Sequence, residues 1–113
     1  MASDRPLPPR PGLQRRPPRS FGWLDARLLQ EDWLSRLGPH PSAVLAFLAI
    51  AADGQGASFY LRETMAMRIG MERRELDRCL DRLLELELLA FRPWCAGQMD
   101  GVWQILPLPR RSR

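Results

Sequence analysis

Residues 62–89 read RETMAMRIGMERRELDRCLDRLLELELL. Two helices and the turn between them are written in this stretch. Met65, Ala66 and Ile69 fall at helical spacing and predict a helix over 62–69 with those residues inward. Gly70 ends it, because glycine tolerates the positive φ of a helix stop. From Glu72 to Leu86 the period is unambiguous. Leu76, Cys79, Leu80, Leu83 and Leu84 form one arc, and Arg74, Arg78, Asp81 and Glu85 lie opposite. Glu87 would return to the middle of the apolar arc, so this second helix is expected to stop just before it.

Upstream, 57–61 is a short extended piece containing Phe59 and Tyr60, set off by the breaker run Asp53-Gly54-Gln55-Gly56. A helix over 41–53 precedes it, with Pro41 suited to the first turn. Ten consecutive apolar residues, 43–52, leave that helix no polar face, which predicts burial on all sides. A first helix over 24–37 has Asp25 to cap its start, and Gly38 followed by Pro39 to end it. Its apolar residues fall on two sides. Ala26, Leu29, Trp33 and Leu37 share one face, and Leu24 and Leu28 lie nearly opposite. The second patch needs another cover, either the segment around Phe21 and Trp23 or a second copy of the chain. A homodimer through Leu24 and Leu28 is the expectation. Downstream, 88–94 and 102–106 read as two strands around a turn punctuated by Gly97 and Gly101, and Pro107 and Pro109 forbid further pairing.

The chain has 113 residues, room for one domain. Its charge is segregated. Residues 1–20 hold five arginines and one acid, 107–113 hold three arginines and no acid, and 21–106 hold nine arginines and twelve acids. The two ends therefore carry +7 and the body −3. All seventeen basic residues are arginine. Six of the eleven prolines lie in 1–20, which has few large apolar groups and is expected to be disordered with local polyproline character. The expected organisation is an Arg/Pro-rich tail at 1–20, a domain at 21–106 and a basic tail at 107–113.

Several function classes find no support in these residues. Two cysteines cannot build a disulfide framework and point to a reducing compartment. The single histidine, His40, excludes histidine-based triads and the common metal spacings, so neither metal nor cofactor is expected. No nucleophile elbow or phosphate loop is present, and the run 53–56 lacks the further oxygen ligands of a calcium loop, so no catalytic residue is assigned. The longest apolar run is about half of what a membrane span needs, and no apolar segment follows the N-terminal arginines as it would in a secretory signal. Cys79 reads as a core residue, Cys95 as exposed at the turn, and His40 as structural. The four tryptophans read as packing residues.

In this order of elements the middle of the chain resembles a winged helix-turn-helix domain. Residues 64–71 are similar to the small-residue-and-glycine turn of that motif. Glu75, Leu76, Leu80, Leu83, Leu88 and Leu89 follow its recognition-helix and exit-strand pattern. The likeness covers about 57–106. It implies an α+β, mostly α fold with a small antiparallel sheet, helix 72–86 as recognition helix and hairpin 88–106 as wing. It further implies double-stranded DNA as partner, contacted by Arg73, Arg74, Asp77, Arg78 and Arg92, in a cytoplasmic bacterial transcription regulator or plasmid or mobile-element replication factor. The pattern differs in three places. Glu72 and Glu75 replace the usual polar residues at the helix start, Leu61 sits where a capping Ser or Thr is usual, and Glu87 stands where glycine is usual. The alternative is a protein-interaction module on the same scaffold, without sequence-specific DNA reading. There the arginines of 72–86 would serve surface ion pairs, Arg74–Asp77, Arg78–Asp81 and Arg82–Glu85.

Overall fold

The computed structural model describes residues 5–110. Its elements are α1 (Arg27–Gln30), α2 (Trp33–Leu37), α3 (Pro39–Ala51), β1 (Ala57–Ser58), α4 (Arg62–Ile69), α5 (Arg73–Glu85), β2 (Leu89–Pro93) and β3 (Gly101–Ile105), after one 3₁₀ turn at Pro11–Leu13. The fold is α+β and mostly helical. The three strands form one antiparallel sheet in the order β1-β3-β2. The expected hairpin pairs Phe91 with Trp103 and Pro93 with Gly101. The extended piece at 57–58 adds to the far side of β3, with Ala57 opposite Gln104.

Helices α4 and α5 stop in the same way. Gly70 has φ 80° and ψ 41°. The Met71 N–H donates to the Ala66 carbonyl at 2.9 Å, and the Gly70 N–H to that of Met67 at 3.2 Å. At the end of α5 the Leu88 N–H donates to Leu83 O and the Glu87 N–H to Leu84 O, both at 3.0 Å. Both are Schellman motifs, which satisfy carbonyls left over by the last turn. In the second, Glu87 occupies the glycine position with φ 59°. The start of α4 is completed from a distance. Leu61 is its N-cap residue and has no side-chain oxygen, and Asp100 from the β2–β3 turn accepts the Arg62 N–H at 2.9 Å instead.

The core lies between the inner face of the sheet and the helices. Val44, Leu48, Met65, Leu76, Leu80, Leu83 and Leu88 are essentially fully buried around Trp103, which stacks on Phe91 at 4.2 Å between centroids. Gly101 is required where β3 meets β2, because a Cβ there would collide with the backbone of Arg92 and Pro93.

The N-terminal third differs from the expectation. The helix over 24–37 is broken in two at Asp32, which takes φ 61°. Asp25 does act at its start, accepting the Arg27 N–H at 2.8 Å. The break shifts the helical phase, so Leu28 joins Trp33 and Leu37 in the core while Leu29 is exposed. Leu28 is thus buried within its own chain and is not available to a second copy; Leu24 remains about half exposed. α3 is also not buried on all sides. Val44, Leu45, Leu48 and Ala49 face inward, whereas Ala43 and Ile50 are exposed, because the neighbouring elements cover only part of its circumference. Residues 5–20 are exposed throughout. At the other end Leu108 packs against the core and Arg27 Nη2 donates to the Pro109 carbonyl at 2.9 Å, so the chain just after β3 is held to the domain. Of the expected basic tail, 111–113 lie outside the described residues, as do 1–4 of the N-terminal one.

Candidate nucleic-acid interface

Burial of Leu76, Cys79, Leu80 and Leu83 fixes the roll of α5 and turns Arg74, Arg78, Asp81, Arg82 and Glu85 to solvent. Arg74, Arg78 and Arg82 recur every four residues, so they form a slowly drifting stripe along the exposed face. Arg74 and Arg82 make no ion pair among the described residues. Arg78 Nη2 donates to Glu75 Oε1 at 2.7 Å, one turn back. None of the three expected i,i+3 pairs forms. Arg78 is drawn toward the N-terminal Glu75 instead of Asp81, and Asp77 lies on the flank that meets α4, away from Arg74.

Asp77 is a structural junction. Its Oδ1 accepts from Arg62 Nη1 at 2.9 Å and from Arg73 Nε at 3.1 Å. Burial pushes its carboxyl up, and the two guanidinium hydrogen bonds outweigh that and hold it below the ordinary carboxylate range. Arg73 also bonds Glu63 Oε1 at 2.9 Å, tying α5 to α4. Arg62 is only 6% exposed. Its Nε donates to the Met99 carbonyl at 2.9 Å, and its guanidinium carbon lies 5.1 Å from the Trp103 ring centroid. One arginine therefore links the hairpin turn, the sheet and both helices. Periodicity gives no sign of this role, because Arg62 occupies an ordinary first-turn position.

Glu75 gathers a second cluster. Besides Arg78 it contacts His40 Nδ1 at 3.2 Å and Cys79 Sγ at 3.5 Å. The bond from Arg78, then that from His40, holds its carboxyl below the ordinary range. Burial, then the bond to Glu75, pushes the Cys79 thiol up to about 11, far from a reactive thiolate. Cys95 is exposed. Trp33 and Trp103 are core residues, whereas Trp23 and Trp94 are exposed.

The five arginine and aspartate candidates are thus divided. Arg74 and Arg78 share the exposed stripe, and Arg82, not among those candidates, continues it; its four-residue spacing was the available signal. Arg73 and Asp77 lie at the α4–α5 junction. Arg92 is exposed on β2, on the sheet face turned away from Phe91 and Trp103, where it borders a shallow cavity of about 290 Å³ with Gln55, Ala90 and Gln104. No hydrogen bond or ion pair joins it to the α5 stripe. Among the described residues no three His, Cys, Asp or Glu side chains group as a metal site requires, and no helix is long and apolar enough to cross a membrane. No family model, no curated protein and no solved structure matches the chain.

Proposed function

We propose that this chain is a winged-helix domain that binds duplex DNA, with α5 as the recognition helix. The observation that carries the reading is the outward stripe Arg74, Arg78 and Arg82 on a helix whose opposite face is locked in the core. The order α3, β1, α4, α5, β2, β3, with β3 central in the sheet, supports it. A helix presented in this way fits a major groove about 12 Å wide. In this reading Arg74, Arg78 and Arg82 contact DNA, Arg73 and Asp77 set the angle between α4 and α5, and the arginines of 5–20 add phosphate contacts. A role in bacterial transcription or mobile-element replication, in the cytoplasm, goes with it.

A second reading is favoured by one observation. Asp81 and Glu85 interleave with the stripe, and carboxylates near phosphates are repelled. A protein-interaction module would keep the scaffold and lose groove reading. Binding isotherms at two salt concentrations separate the two. Deleting 1–20 is expected to weaken binding to all sequences and flatten the salt slope, since each phosphate contact contributes a fall of about 0.9 in log K per decade of salt. Arg74→Ala with Arg78→Ala is expected to erase preference between sequences, at about 1–3 kcal/mol per lost base contact. Salt-independent binding, or no preference to lose, would give the interaction reading.

A further inference from the structure

Beside β1, on the side of the molecule where α3 ends, lies a shallow groove of about 390 Å³ lined by Ala51, Asp53, Ala57, Ser58, Phe59 and Tyr60. Phe59 is 61% exposed and Trp94 55%, with ring centroids 6.3 Å apart and planes tilted by 40°. Tyr60 is held from behind by an edge-to-face contact with Phe47 at 5.1 Å. Asp53 supplies the charge. Its Oδ1 accepts the Ala57 N–H at 3.0 Å and the Gln55 N–H at 2.8 Å, which hold the carboxyl below the ordinary range. Aromatic-lined grooves are what recognise polyproline II segments; here Phe59 and Tyr60 line the groove, Trp94 stands beside Phe59, and the Asp53 carboxylate adds a site for a cation.

The same chain carries such a segment. Pro6, Leu7, Pro8, Pro9 and Arg10 are consecutive and exposed. In a polyproline II helix, at three residues per turn, Pro6 and Pro9 fall on one edge about 9 Å apart and Leu7 and Arg10 on the next; in the free segment Pro9 is at a bend and Arg10 has φ −132° and ψ 75°, so docking straightens that end. Proline rings seat on aromatic faces, and Arg10 complements Asp53. Within a single chain the segment is exposed and the groove open, although the chain enters the body at Gly22, against Ala49 and Ile50 near the groove. We propose that the aromatic groove of Phe59 and Tyr60, flanked by Trp94, takes the proline–arginine segment at residues 6–10 of a second copy of this chain. Such a contact is head-to-tail and links copies into rings or open chains. It uses none of the α5 residues of the DNA reading, and Arg10 is the one residue the two share.

The test titrates a synthetic peptide of residues 5–16 into the isotopically labelled full chain. The amides of Phe59 and Tyr60 and the Trp94 indole N–H are expected to shift and saturate. Phe59→Ala in the protein, or Pro6→Ala with Pro9→Ala in the peptide, is expected to weaken binding at least tenfold. Phe59 is exposed, and an unchanged melting temperature verifies that its variant folds. Sedimentation of the full chain is expected to show association that rises with concentration and is lost in Phe59→Ala. No shift at millimolar peptide would overturn the proposal. Equal binding of a proline-free arginine peptide would reduce it to charge attraction and overturn it as well. A concentration-independent monomer whose own segment fills the groove would overturn the second-copy assignment. Loss of DNA binding has no bearing on any of these readings.

Discussion

Replacing Glu87 with glycine is expected to stabilise the protein. Glu87 holds φ 59° at the end of α5, where two hydrogen bonds of a Schellman motif depend on that conformation. For a residue with a Cβ the left-handed region costs about 1–2 kcal/mol. Glycine removes that strain and returns about 0.4–1 kcal/mol through the greater freedom of its unfolded chain. The side chain of Glu87 is exposed, so little packing is lost. The net expectation is a gain of about 0.5–1 kcal/mol. In a domain of this size each 1 kcal/mol moves the melting temperature by about 4–8 °C, so a rise of several degrees should be seen. Urea unfolding should show a higher midpoint at unchanged slope. Glu87→Ala is the control, since it removes the carboxylate and keeps the Cβ; it should stay near wild type. Gly70→Ala is the mirror test. At φ 80° the same balance of strain and unfolded-chain freedom should cost about 0.5–1 kcal/mol. A Glu87→Gly protein no more stable than Glu87→Ala would refute the strain account.

Arg62→Met should destabilise the domain by about 2–3 kcal/mol, because it leaves the Met99 carbonyl without its side-chain donor and Asp77 with Arg73 alone; a melting temperature within a few degrees of wild type would show that the linkage is dispensable. Asp77, Glu75 and Asp53 all have carboxyls held low in the folded state. Their unfolded values are higher, so the stability they contribute is present above about pH 4 and is lost as pH falls through the folded values. Urea midpoints between pH 7 and pH 3 should show this fall, and Asp77→Asn should flatten it. A thiol reagent at pH 8 should modify Cys95 rapidly and Cys79 only after unfolding, since Cys79 is 2% exposed with its thiol near 11; two equivalents reacting at one rate in native protein would contradict that burial.

The elements whose signals are local are legible in the residues themselves. The bounds of α4, the phase of α5 and the hairpin follow from residues within a few positions of one another: the Met65–Ala66–Ile69 face, the stop at Gly70, the leucine arc, and the glycines and prolines around the strands. Whatever depended on partners distant in the chain was settled only by tertiary structure. Whether 57–58 would pair, and on which side of the hairpin, is decided by Gln104 and Trp103. The missing cap at Leu61 is supplied from Asp100, 38 residues beyond Arg62, and Asp77 is claimed by Arg62 and Arg73. In the first helix Leu28 and Leu29 exchanged places because Asp32 broke it, while Trp33 and Leu37 kept the inward side. No single side of an unbroken helix holds Leu28 with Trp33 and Leu37, and only the break lets the core bury all three. Helical period says which residues share a face. It does not say which face a neighbouring element will cover, because that is fixed by the apolar area buried when the whole chain closes around Trp103.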